Sequence, residues 1–499
     1  MTGSWPLPFI TEANPMRYLL LTPAIMMLIA VFSAFPASLD TDREQLLWQK
    51  DKQNYRDKSA VVPNKDQLLL PDDLSINLNG ENYALENNAQ DLGQAIYLAI
   101  NHRQFEDVQR LLPRYQQLAD ADPLLILFAK AEIAKSQNHY PEAIAHYQQI
   151  LARSPKFLRI KLELARAYFE DNQNKESLAL FQNLINDETL ALPTNVKQTI
   201  QQFISAIENR TAWTGSLSFG YKYNSNINQV PDKNKVWETP GGTWKMANPK
   251  SSPGLTYDAS LSKIIPISGN HSLQIKGTSY GDRYPHYAEF SENTSSLATL
   301  YRFNDANTTV AFGPLVELKT VNEKRRYLGI GGKIEADYQF SPRVLLSTSA
   351  DYQQLHYQKP YDSANGNRSS LHLTGVYGIT PDTSLFLGAD ATRLTTEVRS
   401  DDYDQLGIRG GFYHVLTPDI HLLALATYRE SQFKAFNQML NVKRHDREAM
   451  YFARLSFPNY SLLTFTPYTS YRFRDNRSSA DGIYSYHQHE ISIGLETRF

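Results

Sequence analysis

The sequence has no cysteine. That excludes disulfides, thiolate metal sites, a cysteine nucleophile and a lipid-anchoring cysteine on the chain itself. It also lacks a basic excess. Fifty Lys and Arg stand against 52 Asp and Glu, a formal net charge of −2, whereas a dedicated nucleic-acid binder carries a basic patch, so no nucleic-acid partner is expected. Beyond one N-terminal stretch, no apolar run is long enough for a membrane helix. H-E-x-x-H, the G-x-S-x-G elbow and the phosphate loop are all missing. No catalytic residue, cofactor or metal ligand set is therefore assigned, and a non-enzymatic protein is expected. What the chain has in quantity is aromatics, 12% of 499 residues with 30 Tyr, against only 41% hydrophobic residues in all. That composition fits a transmembrane β-barrel, although many soluble β-proteins share it.

The N-terminus has the pattern of an export leader. Arg17 supplies the positive start, Leu19 to Phe35 the apolar run, and Ala34, Ala37 and Ser38 the small residues before Asp40. Cleavage is expected near Ala37, with an uncleaved anchor helix as the alternative. Residues 1–15 do not belong to this pattern, which points to Met16 as the start. Residues 1–38 are thus read as signal peptide and 39–90 as a polar linker without steady periodicity.

From 91 to 208 the apolar spacing becomes helical and repeats. Ala131, Ala143 and Tyr147 recur 34 residues on as Ala165, Ser177 and Phe181, the tetratricopeptide period. A looser unit precedes them with Phe105, Val108 and Leu112. The small residues let paired helices approach and the aromatic fills the gap between pairs, so the stripe itself is core. About three pairs suffice for an independent α-solenoid whose concave face takes a protein segment.

After 210 the period shortens to two. Fourteen alternating segments follow, near 212–223, 254–265, 271–282, 294–304, 307–318, 326–339, 343–356, 367–378, 383–394, 402–415, 420–432, 444–457, 461–473 and 483–499. In the ninth, Leu385, Leu387, Ala389 and Ala391 oppose Asp390 and Thr392. In the twelfth, Tyr451, Ala453, Leu455 and Phe457 oppose Glu448, Arg454 and Ser456. In the thirteenth, Leu463, Phe465, Pro467, Tyr471 and Phe473 oppose Thr464, Thr466 and Ser470. Apolar-out, polar-in alternation over about ten residues is what a lipid-facing strand requires, and backbone pairing inside hydrocarbon forces the sheet to close. A large soluble sandwich or propeller is the rival. Short turns at 340–342 and 380–382 suit the periplasmic side, while 224–253 and 433–443 suit long extracellular loops. Tyr280, Tyr284, Tyr338, Tyr352 and Tyr471 are expected in interface girdles. The last strand, EISIGLETRF, ends on Phe499 with Ser492 and Gly494 at the polar and glycine places of an outer-membrane assembly signal; Thr497 departs from its apolar place. The fold class is an α + β two-domain protein, an N-terminal tetratricopeptide-like solenoid followed by a 14-stranded antiparallel transmembrane β-barrel over 210–499.

Two polar clusters invite chemistry. His487 and His489 share a strand face, as a metal pair would, but no third ligand is identifiable, so interfacial side chains are the plainer reading. The run Lys443, Arg444, His445, Asp446, Arg447 and Glu448 reads as a solvated rim, or as a guide for an anionic solute.

The opening GSLSFGYKYNSNINQVPDK, with Gly220, Tyr223, Asn224, Asn226, Ile227, Asn228, Gln229 and Pro231, resembles the Slam family of surface lipoprotein assembly modulators. So does the C-terminal region through Arg444, Asp446, Tyr471, Asn476, Tyr484, Tyr486 and Phe499. The resemblance covers the whole mature order of parts. It implies a periplasmic tetratricopeptide domain on a 14-stranded outer-membrane barrel that moves lipoproteins, or unlipidated relatives, to the cell surface or medium. Substrates of the family often capture host transferrin, haemoglobin or haem. It implies as partners the surface lipoprotein or secreted substrate, the β-barrel assembly machinery and outer-membrane lipid, and no cofactor. Asn224, Asn226 and Asn228 alternate, so their amides lie on one side where they would meet an extended peptide, and with Gln229 they are the candidate substrate-binding residues. The alternative is local bonding in a tight loop. A polysaccharide or solute export porin with a periplasmic repeat domain is the rival function.

Overall fold

The protein is described here by a computed structural model covering residues 75–78, 81–232 and 234–499. The expected leader at 1–38 and most of the linker at 39–90 lie outside the described residues. The end of the linker is a short antiparallel hairpin, Ser75–Leu78 with Glu81–Ala84, running into the first helix.

Seven helices follow: α1 (Ala89–Asn101), α2 (Phe105–Tyr115), α3 (Pro123–Ser136), α4 (Tyr140–Arg153), α5 (Leu158–Glu170), α6 (Asn174–Asn186) and α7 (Thr194–Thr211). The first six pair as α1/α2, α3/α4 and α5/α6. Ala131, Ala143, Ala165 and Ser177 are fully buried where the helices meet, and Tyr147 and Phe181 fill the spaces between pairs. The turn inside each pair carries one left-handed residue, Arg103 (φ 59°), Asn138 (φ 62°) and Asn172 (φ 60°). Asparagine tolerates that backbone better than most residues. Tyr147 donates to the buried Glu132 at 2.6 Å, which also holds Lys135 at 2.8 Å. Burial, and then the Glu132 charge, push the Tyr147 phenol well above its ordinary value.

One residue, Ala212, separates α7 from the barrel. Its strands are β1 (Trp213–Asn224), β2 (Ser252–Ser268), β3 (His271–Arg283), β4 (Glu292–Asn304), β5 (Thr308–Val321), β6 (Lys324–Ser341), β7 (Val344–Tyr357), β8 (Gly366–Thr380), β9 (Thr383–Thr396), β10 (Tyr403–Thr417), β11 (Ile420–Asn437), β12 (Val442–Ser456), β13 (Thr466–Ser478) and β14 (Tyr486–Arg498). Each pairs antiparallel with its neighbours and β14 closes on β1, so all fourteen form one barrel. Outward residues are apolar and exposed, among them Leu387 (72%), Ile408 and Ile493, while inward residues such as Arg409, Arg474 and Glu490 are buried. Closure satisfies every strand edge, the condition for crossing hydrocarbon. The barrel lies in the outer membrane with the helical domain in the periplasm.

Three expectations are corrected. Tyr280 and Tyr284 are 3% and 4% exposed and face inward, because residues of one parity along β3 point into the barrel; Tyr338, Tyr352 and Tyr471 do face lipid. The thirteenth strand begins at Thr466, since Leu463 turns left-handed (φ 59°) and stands in the β12–β13 turn. The long loop expected at 433–443 is mostly strand, with β11 running to Asn437 and β12 starting at Val442.

The β14/β1 closure is tight. Gly494 pairs with Gly220, and Tyr468 covers both, its hydroxyl 2.8 Å from where a Cβ on Gly220 would stand. At the chain end, Phe499 and Gly215 exchange backbone hydrogen bonds of 2.9 and 3.1 Å.

Candidate functional site: the repeat groove, its latch and the barrel interior

The first helices of the pairs present a groove. Arg159, at the start of α5, lies over the rings of Tyr97 from α1 and Phe128 from α3, at 5.0 and 5.1 Å. Its guanidinium donates to the Tyr97 hydroxyl and to Asn101 Oδ1 at 2.6 Å. Beside this stack, Leu124, Ser154, Pro155, Lys156 and Phe157 line an open depression of about 570 Å³. Tyr97 and Phe157 are both more than 40% exposed. The groove therefore offers aromatic and aliphatic surface with a cation held in place, the mix that seats an apolar peptide side chain and a nearby carbonyl or carboxylate. None of this was visible in the sequence, since 62 residues separate Tyr97 from Arg159.

The groove is fixed beneath the barrel by a latch at the α5–α6 turn. The left-handed Asn172 donates through Nδ2 to the Asp305 carbonyl at 2.8 Å. Asn270 Nδ2 donates to the Asp171 carbonyl at 2.5 Å. Gly269 takes φ 53° in the β2–β3 turn, which aims its N–H at Glu176 Oε1, 2.8 Å away. Lys175 Nζ reaches the Ile267 carbonyl at 2.9 Å. Ala306, in the β4–β5 turn, packs against the repeat core. With α7 running directly into β1, the helical domain is held at three points. Asp171 is buried at this junction, and burial raises its carboxyl above the ordinary 3.8, partly offset by the Gln173 amide.

The barrel interior is a mesh of paired charges. Lys222 meets Asp282 at 2.7 Å and Glu490 at 3.4 Å, and Arg472 meets Glu490 at 3.2 Å. Arg429 and Arg474 converge on Glu448 at 3.4 and 3.5 Å. Arg444 clasps Asp446 at 2.5 Å, Arg368 meets Glu317 at 2.9 Å, and Arg409 holds Asp390. Buried charges are tolerated only when paired, because desolvating a lone ion costs several kcal/mol. The wall is thus mixed in sign, unlike a channel lined with one charge.

The candidate residues of the first loop lie at the barrel mouth. Asn224, Asn226 and Asn228 are 2%, 3% and 5% exposed, and their amides are engaged within the protein. Asn224 donates to Glu490 at 3.0 Å and to the Tyr284 hydroxyl at 3.1 Å, while its oxygen takes the Asn226 N–H at 2.9 Å. Asn226 donates to the carbonyls of Val230 and His487, at 2.8 and 3.2 Å. Asn228 bridges to Asn248 and Lys250, at 3.0 and 2.8 Å. Gln229 sits left-handed (φ 48°) and its Oε1 accepts from the Tyr486 hydroxyl at 3.3 Å. They hold a loop whose hairpin, Val236–Thr239 with Gly242–Lys245, brings Trp237 and Trp244 onto Leu440 and Ile483. Trp237 Nε1 donates to the Leu440 carbonyl at 2.8 Å. Three extracellular loops are so joined over the mouth.

His487 and His489 both point outward. His489 Nδ1 pairs with the Tyr471 hydroxyl at 2.8 Å. Among the described residues, no group of three or more His, Cys, Asp or Glu is placed to hold a metal ion.

A lipid-embedded barrel with a helical-repeat arm latched to its periplasmic end defines a class of two-domain outer-membrane barrels. Within that class, this chain belongs to the surface lipoprotein assembly modifier family. The model described as "Surface lipoprotein assembly modifier" matches residues 213–499, and the one for the family's N-terminal TPR repeats matches 78–181. The "Hemophilin secretion modulator" of Acinetobacter baumannii is 30% identical over 92% of this chain and 95% of its own length. The "Surface lipoprotein assembly modifier" of Pasteurella multocida is 28% identical over 64% of each chain, and that of Moraxella catarrhalis 26% identical over 70% of this chain and 69% of its own.

Proposed function

We propose that this protein carries specific protein substrates, lipoproteins or their secreted relatives, across the outer membrane without doing covalent chemistry. The repeat groove engages the substrate in the periplasm and the barrel gives it a route or a folding template. The observation that carries this reading is the latch. A groove bolted to the barrel turns presents its occupant at one fixed place under the lumen, which a free tethered arm would not do. Between the two kinds of substrate we favour a secreted one, because the relative that spans nearly the whole chain is named for the secretion of hemophilin.

The four residues Asn224, Asn226, Asn228 and Gln229 act on substrate through the loop they hold rather than by direct contact. Residues 1–38 are the export leader, 39–90 a linker, 91–208 the periplasmic arm and 210–499 the barrel. The assembly machinery inserts the barrel by reading its last strand, with Phe499 as terminal aromatic, and outer-membrane lipid covers the apolar face.

The test is protease shaving of intact cells that co-express this chain with the secreted protein encoded beside it, in a host lacking both. The partner should become accessible, or appear in the medium, only when this chain is present. A chain lacking 91–208 should insert and export nothing. A solute export porin is the competing function; it predicts a stable, charge-selective conductance in planar bilayers, which the mixed charges of the interior disfavour.

A further inference from the structure

The charge run at 443–448 separates into two faces on β12. Arg444, Asp446 and Glu448 point inward and are paired as described, while Lys443, His445 and Arg447 point outward. On the neighbouring strand the outward sequence ends in Tyr471, Phe473, Asp475 and Arg477. Arg447 and Arg477 are direct cross-strand partners. Both are exposed, the Arg477 side chain by 80%.

Two like charges placed directly opposite on one sheet face repel and destabilise the ladder. The acids nearby relieve the outward cations only in part. Glu430 stands directly opposite Arg447 from β11 and attracts it through its charge, while also accepting from Gln432 at 3.1 Å and bonding to His445 at 2.8 Å. Asp475 holds only Arg477, at 2.9 Å. Asp404, further round, is taken by Arg393 and Lys434. With Lys443 the outward face sets three cations against the two carboxylates of Glu430 and Asp475, and so is short of one anion on the outside of the barrel.

Its height says which anion. Tyr428, Ala449 and Asp475 lie in one register row, with Tyr451 and Phe473 in the row below. Tyr428 and Tyr451 are exposed to lipid. Arg447 is two residues beyond Ala449, about 7 Å along the strand and about 5 Å along the membrane normal at the usual barrel tilt. That is the headgroup layer just above an aromatic girdle. Facing Cα atoms are about 4.5–5.5 Å apart in an antiparallel ladder, so the two guanidiniums can share one phosphate through charge-assisted bonds.

We propose that Arg447 and Arg477 form an external binding site for the phosphate of an outer-leaflet lipid headgroup, with Lys443 as a further cation at its outer edge. The site rests on the barrel's place in the outer membrane and is independent of what the protein exports. An anchored, phosphorylated lipid would brace the β11–β13 wall, whose inner face carries the Arg429–Glu448–Arg474 cluster.

The test is native mass spectrometry of the full-length protein in mild detergent, titrated with bisphosphorylated lipid A, with dephosphorylated lipid A and with inorganic phosphate. The wild type should bind the bisphosphorylated lipid roughly 30-fold more tightly than the Arg447→Ala/Arg477→Ala variant, at about 1 kcal/mol per cation near a lipid phosphate. Arg447→Gln alone should lose about fivefold on the same scale. The Arg447→Lys/Arg477→Lys variant should retain most of the affinity, and it carries the test if the alanine variant fails to assemble. Dephosphorylated lipid should bind all forms equally weakly. Equal affinity of wild type and alanine variant for the bisphosphorylated lipid, or equal binding of both lipids by the wild type, overturns the site. Displacement of the lipid by an equal concentration of inorganic phosphate overturns the lipid assignment.

Discussion

The latch between repeat arm and barrel makes the most exposed prediction. Its two amide bonds, Asn172 to the Asp305 carbonyl and Asn270 to the Asp171 carbonyl, contribute about 1 kcal/mol each. The Glu176 bond to the Gly269 N–H has a charged acceptor, so about 1.5 kcal/mol is apt. Lys175 is exposed and its bond to Ile267 adds little. The triple variant Asn172→Ala/Glu176→Ala/Asn270→Ala thus loses about 3.5 kcal/mol, a shift of about 300-fold toward the undocked arm. What remains is the Lys175 bond, the Ala306 N–H bond to the Asp171 carboxylate, Ala306 packing and the tether through Ala212. Because the chain has no cysteine, spin labels placed by Glu142→Cys and Asp382→Cys report on the arm alone. Pulsed electron resonance should give one narrow distance distribution in the parent and a broad one in the triple variant, with export falling in parallel. An unchanged narrow distribution, with the helices still folded by circular dichroism, would refute the latch as the holding element.

Three further outcomes are expected. Arg159→Ala should unstack Tyr97 and Phe128 and weaken substrate binding to the purified protein several-fold while leaving barrel assembly intact; unchanged affinity by calorimetry would remove the groove from the mechanism. Asp171 has its carboxyl raised above 3.8 by burial, so the folded state holds that proton more tightly than the unfolded chain does. Its contribution is full below 3.8 and is lost as pH rises through the raised value. Asp171→Asn should therefore gain stability at neutral pH and flatten the pH dependence of helix melting, and parallel melting curves for the two forms would contradict this. Asn226→Ala removes bonds to Val230 and His487 and should cost about 2–3 kcal/mol locally, read as faster proteolysis of 225–251 on intact cells; unaltered cleavage would show that Asn226 does not hold the loop.

The division between what the sequence determines and what the tertiary structure decides follows the range of the interactions. The tetratricopeptide stripe was legible because a helix core repeats in register with its own period, so Ala131, Tyr147, Ala165 and Phe181 announce themselves locally. The fourteen strands were legible for the same reason, since lipid on one side and polar groups on the other impose a period of two. Strand parity also assigned Arg454 and Asp390 to the interior. Parity also places Tyr280 and Tyr284 inside the barrel; aromatic content alone, which suggests a girdle for them, does not report the face. What the sequence could not show is which residues meet across distance. Arg159 reaches Tyr97 over 62 positions, Asn172 meets Asp305 over 133, and Asn224 meets Glu490 over 266 because the barrel closes its last strand on its first. The alternating asparagines left two readings open from their pattern alone, and only the folded loop supplies partners for each amide. The charge run 443–448 reads as a single rim as a string of residues, but strand alternation sends its members to opposite faces of β12. Local periodicity thus determines the elements and their faces; the groove, the latch, the paired interior and the outward arginine pair exist only once closure and docking bring distant strands and helices together.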